Sequence, residues 1–229
     1  YASFNINGSS DRLTFNSSDS EGDGRIFNYG TLNISNGATL NFEAMAWHNL
    51  GVINLNNATF NMGGRFNSSD YGVVNRQSSI VNIVGRMENT NETTVLNVDT
   101  GNWVIKGGRI VGGVIDTDES YTFLSTNGVL DGVTVEGLIT LVGSTLWVDR
   151  GMTLNGQIKM GDFTIGTGGG SVNFRGETDQ TLAGTGSIFT TNFYEGNVQN
   201  FTRNQATNRG QRLNIGADIE ITGQNVTVS

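Results

Sequence analysis

"YGTLNISNGATLNF", Tyr29 to Phe42, is echoed by "LGVINLNNATFNM", Leu50 to Met62, and again by "YGVVNRQSSIVNI", Tyr71 to Ile83. Within each phrase apolar and polar residues alternate. That is the period of two of a strand, not the i, i+3, i+4 spacing of a helix. Gly30, Gly51 and Gly72 open the phrases at intervals of 21, and Asn33, Asn54, Asn75 and Asn97 follow at 21, 21 and 22. A second series runs through Asn41, Asn61 and Asn82. A third segment precedes each unit: "RIFN" (Arg25–Asn28), "MAWHN" (Met45–Asn49), "GRFN" (Gly64–Asn67) and "GRMEN" (Gly85–Asn89).

A strand period nested inside a coil period of about 21 predicts a chain that winds once per unit and stacks equivalent segments as parallel strands. The expected fold is therefore all-β, a single-stranded parallel β-helix of about ten coils over residues 1–229. The coils are regular to about residue 102 and less even, with loops, over 103–229, where Gly113, Gly132 and Gly156 fall 19 and then 24 apart. The Asn-Gly pairs at Asn7, Asn36, Asn127 and Asn155 also suit hairpin turns, so an antiparallel sandwich is the competing arrangement. In the solenoid, Gly and Asn take the corners that need positive φ. Asn recurring on successive coils forms ladders of amide hydrogen bonds. Phe4, Phe15, Phe42, Phe60, Trp47 and Trp103 are expected as core fillers, and the absence of proline leaves every strand able to donate.

Composition limits the partners. The chain has 33 glycines, no proline, no cysteine, two lysines and one histidine, and roughly one residue in eight is asparagine. A net charge of −8 argues against nucleic acid and against an anionic membrane surface. No apolar run approaches the ~18 residues of a spanning helix. The opening "YASFNING" reads as a processed product or an excised piece. Without cysteine there are no disulfides and no thiolate metal sites.

Three kinds of chemistry suit this scaffold. Polysaccharide cleavage needs carboxylates gathered in a groove. The candidates are "DTDES" (Asp116, Asp118, Glu119), Asp131 and Glu136 about one coil on, then Asp149-Arg150 and Asp162; stacking can bring Asp131, Asp149 and an arginine onto one face. Calcium is the candidate cofactor, at "DSEGDG", where Asp19, Glu21 and Asp23 alternate but the closing Glu is missing. Ice binding wants threonines recurring at one site, which is not the pattern here. His48 beside Trp47 reads as a corner residue, and "GTGGGS" (166–171) lacks the lysine of a phosphate loop. Asn-x-Ser/Thr sequons occur at Asn7, Asn16, Asn33, Asn57, Asn67, Asn91, Asn200 and Asn225, of which Asn33 and Asn225 fall in predicted strands.

The phrases "TLNISNGATLNF", "GVLDGVTVEGLITLVGSTLWVDRGMTLNGQIKMG" and "GSVNFRGETDQTLAGTGSIF" resemble the β-helical repeats of large bacterial secreted and surface proteins, of the adhesin and autotransporter-passenger kind. The resemblance implies a right-handed coil and an extracellular or cell-surface setting, and it brings no catalytic residues. Both ends of the chain read as strand without a cap, which places assembly at the tips: Phe4, Ile6 and Leu13 at one, Ile219, Ile221, Val226 and Val228 at the other. The expected function is a non-enzymatic structural rod, stacked on copies of itself or joined to the rest of a longer surface protein. The alternative is a β-helix that binds or cleaves polysaccharide.

Overall fold

The computed structural model describes residues 2–17, 24–141, 143–161, 168–190, 195–204, 209–223 and 225–229, with backbone alone at 195, 197, 200–204, 209 and 225. Among them there is no α-helix; one 3-10 turn, Ser68–Tyr71, interrupts a succession of short strands. The strands stack into long parallel sheets, the architecture of a β-helix. Among the described residues the only antiparallel pair is a short one, Glu195–Asn204 with Arg209–Gly210. The Asn-Gly pairs thus join strands that stack in parallel rather than hairpins; Asn36 and Asn127 of those pairs take positive φ, as do Asn57 and Asn91 at other corners.

A ten-stranded sheet runs from Arg12–Phe15 to Glu220–Thr222. Its first inward column is Leu13, Leu40, Phe60, Val81, Trp103, Phe123, Ile139, Ile158, Ile188 and Ile221, one residue per coil. Such continuity sets the register, because a slip of one residue would turn every apolar side chain outward. A fifteen-stranded sheet holds the third segment of each coil, from Arg25–Asn28 through Arg65–Asn67, Arg86–Glu88 and Arg109–Val111 to Thr145–Leu154 and Gly170–Gly176.

The remaining sheet has four strands: Ser3–Asn7, Thr31–Ser35, Val52–Asn56 and Val73–Gln77. It stops there. The corresponding strand of the next coil, Thr93–Leu96, pairs instead with Val114–Thr117.

The repeating glycines have a steric cause. A Cβ at Gly30, Gly51 or Gly72 would fall on a backbone carbonyl oxygen of the preceding coil, so only glycine lets the corners stack. The asparagine series behaves as its spacing requires for three rungs. Asn33 Nδ2 donates to Asn5 Oδ1 at 2.6 Å, Asn54 to Asn33 at 2.7 Å, and Asn75 to Asn54 at 2.8 Å. On the ten-stranded sheet Asn61 donates to Asn41 and Asn82 to Asn61, both at 2.7 Å. Asn97, expected to extend the first series, does not. Its Oδ1 accepts from the backbone N–H of Asp99 and Thr100, in a turn that replaces the straight corner of earlier coils.

The core carries the aromatics where coils lie on both sides. Phe42, Phe60, Trp47 and Trp103 are buried; Phe42 meets Trp47 and Phe60 edge-on at 4.8 and 5.2 Å, and Trp47 Nε1 donates to the Gly63 carbonyl. Phe4 differs from its expected role. It shares a register column with Leu32 but lies on an edge rung and is 53% exposed.

Candidate functional site

Asp131 and Asp149 are direct register partners on adjacent strands, and Arg175 follows one rung later. The sequence anticipated the two carboxylates and one arginine; the structure supplies three arginines. Arg109 reaches forward from the preceding coil and bridges the pair, Nη1 to Asp131 Oδ2 and Nη2 to Asp149 Oδ2, both at 2.7 Å. Arg150 closes on Asp131 Oδ1, and Arg175 Nε donates to Asp149 Oδ1 at 2.7 Å while its guanidinium lies 4.8 Å over the Trp147 ring. A bulge makes this geometry. Register shifts between Asp131 and Val133, Arg150 takes φ +58°, and its side chain turns back onto the previous rung. The Asp131 carboxylate holds the Arg150 guanidinium above its usual range, by hydrogen bond and by charge.

Every oxygen of the two carboxylates therefore accepts from a guanidinium. The other acidic candidates are elsewhere. Asp116 Oδ1 accepts from the Thr117 N–H, and its register partner is Val95. Asp118 and Glu119 lie between strands, Glu136 accepts from Asn155 Nδ2 at 2.9 Å, and Asp162 lies outside the described residues. The sequence did carry a signal for Arg109. "GRF", "GRM" and "GGRI" place an arginine after glycine in three successive coils, and Arg65, Arg86 and Arg109 stack in one column.

A cleft of about 430 Å³ opens where the four-stranded sheet ends, lined by Tyr71, Val73, Arg76, Val98 and Trp103 among others. Arg76 occupies an inward position, and its guanidinium donates to the carbonyls of Thr100, Asn102 and Ser79. Burial lowers its pKa and raises that of Tyr71. Tyr71 meets Trp103 edge-on at 5.0 Å.

His48 is mid-strand rather than at a corner. Its Nδ1 lies 2.5 Å from Asp70 Oδ1, and its ring stacks at 5.0 Å on the register neighbour Phe27. Phe27 stacks in turn on Tyr29, and both are exposed. Asp70 is buried and also accepts from the Asn67 N–H, so the 3-10 turn fixes its place. The nearby Ser68 Oγ is buried with no hydrogen-bond partner, so it is not engaged by His48.

The expected assembly residues lie on edge strands, except Ile219, which directly precedes Glu220–Thr222. Ser3–Asn7, Arg12–Phe15 and Glu220–Thr222 each pair on one side only. Phe4 and Val228 are half exposed, Leu13, Ile219, Ile221 and Val226 are partly buried against the core, and Ile6 is buried. Asp19, Glu21 and Asp23 lie outside the described residues, and no acidic or histidine cluster suited to a metal occurs among the described ones. Asn7, Asn16, Asn57, Asn67 and Asn91 are exposed; Asn33 lies in a strand and is tied into its ladder. Asn200 and Asn225 lie on strands whose side chains at those positions fall outside the described set. Compared with family models, curated proteins and solved structures, the chain matches none.

Proposed function

We propose that this chain is a non-enzymatic, extracellular structural rod, extended at its tips by copies of itself or by the rest of a longer surface protein. The observation that carries this reading is the exposure of apolar columns at both edge rungs: Phe4 at one, Val228 at the other, with Leu13 and Ile221 only partly covered. A further coil laid on either edge would bury these side chains and pair the open strand edges. Head-to-tail contact of this kind does not close and so builds a filament. The resemblance to surface-protein β-helices supports the extracellular setting.

The saturated carboxylates argue against the competing enzyme. An acid–base pair needs an oxygen directed at substrate, whereas both oxygens of Asp131 and of Asp149 already face arginines. Sedimentation velocity tests the rod. Val228→Asp or removal of 223–229 is expected to leave a folded monomer by circular dichroism while abolishing concentration-dependent growth. Undiminished growth in both variants would overturn the role given to the tips.

A further inference from the structure

The fifteen-stranded sheet turns a charge pattern outward that the net charge of the chain conceals. Among the described side chains, six cationic ones lie on its outer face: Arg25, Arg65, Arg86, Arg109, Arg150 and Arg175. Four described acidic ones accompany them, Glu88, Asp116, Asp131 and Asp149. The described side chains of this strip sum to +2 in a chain of −8.

Its order is linear. Arg25, Ala46, Arg65, Arg86 and Arg109 share one register column, so four guanidinium groups line five rungs spaced ~4.8 Å apart. Arg65 and Arg86, on adjacent rungs, share a single oxygen of Glu88, at 2.9 and 2.6 Å, which leaves the pair half neutralised. The side chains of Arg65 and Arg150 are 68% and 66% exposed. Arg25 has no carboxylate partner among the described residues. Beside it stands the exposed stack of Phe27, Tyr29 and His48.

We propose that this strip binds a linear acidic polysaccharide laid along the rod axis. Planar guanidinium groups accept carboxylates in bidentate fashion, and a column with rung spacing presents them at intervals comparable to the length of one sugar ring. The stacked rings offer an apolar rail to the C–H face of a sugar. Glu88, Asp131 and Asp149 decide between polyanions. A polyphosphate offers these carboxylates only like charge, whereas a polysaccharide also offers hydroxyl donors, which the Glu88 oxygen not taken by Arg65 and Arg86 can accept. This proposal goes beyond the rod and stands or falls separately from it, since a rod needs no ligand.

The test is biolayer interferometry of the intact chain on immobilised polygalacturonate, neutral dextran and single-stranded DNA. Binding to polygalacturonate alone is expected, weakening steeply with salt as counterions are displaced. Arg65→Gln combined with Arg86→Gln should weaken it at least tenfold and flatten the salt dependence, with an unchanged melting curve confirming an intact fold. Asn57→Gln, at an exposed corner away from the strip, should bind as the parent does. No binding to polygalacturonate, equal binding to neutral dextran, preferential binding to DNA, or indifference to the double substitution would each overturn the proposal.

Discussion

Arg76 stands one rung beyond Leu55, in the core column that Ile6 and Ile34 fill in the two coils before it. A cation thus replaces an apolar side chain at the point where the four-stranded sheet stops. Its guanidinium is held by the carbonyls of Ser79, Thr100 and Asn102, so it pins the 97–102 segment across the gap. Leu at this position would continue the column but leave those carbonyls without their donor. Arg76→Leu is therefore expected to lower stability by about 1–3 kcal/mol in urea unfolding. It should also make 97–102 a preferred site of limited proteolysis. Unaltered cleavage would show that Arg76 does not pin the segment.

Arg109 is the keystone of the carboxylate pair, and its removal should be felt more than that of Arg150. With Arg109 only 28% exposed and Asp131 almost wholly buried, Arg109→Leu leaves both carboxylates a donor short. The expected loss is about 2–3 kcal/mol, less than a fully buried pair would show. Arg150→Gln, at a side chain 66% exposed, should cost under about 1 kcal/mol. Equal losses measured by denaturant titration would contradict this ranking.

The asparagine ladder gives a prediction in the form of a cycle. Asn54 donates to Asn33 and accepts from Asn75, so Asn54→Ala removes two bonds and Asn75→Ala one. Losses of about 1–2 and about 0.5–1 kcal/mol are expected. The double variant should lose less than their sum, because one bond is counted in both. Strict additivity would mean the amides act independently.

Tyr71 sets a stability limit in alkali. Burial raises its phenol above the ordinary value of 10.0, so the folded chain retains a proton that the unfolded chain gives up. Below pH 10.0 this group costs the fold nothing; above it, stability falls as pH rises toward the folded-state value, and past that value the loss is complete. Tyr71→Phe is expected to flatten this decline, and the absorbance titration near the phenolate band should lose a component that ionises above pH 10.0. A decline identical in both proteins would assign it to other groups.

The sequence made the regular coils legible because each rung repeats the same local requirement. Gly30, Gly51 and Gly72 report a corner with no room for a Cβ, and Asn33, Asn54 and Asn75 report a ladder position. Both signals are steric and local, so spacing alone reveals them. Asn97 kept the spacing and lost the ladder, because the strand just before it, Thr93–Leu96, leaves the four-stranded sheet for Val114–Thr117, and the 97–102 segment is tied instead to Arg76, which lies in the preceding coil and not in the local phrase. The carboxylate pair was half legible for a similar reason. Asp131 and Asp149 meet through register, but the bulge at Arg150 and the reach of Arg109 depend on side-chain paths between coils. His48 gave no sign of its partner: Asp70 arrives through the 3-10 turn, which has no counterpart in the neighbouring units.

Electron microscopy of the purified chain at neutral pH tests the structural role most directly. Ten stacked strands at ~4.8 Å make each subunit roughly 45 Å long. Stacking through the exposed tips predicts thin, unbranched fibres with that axial repeat, lengthening with concentration. Separate short rods at every concentration would contradict self-stacking.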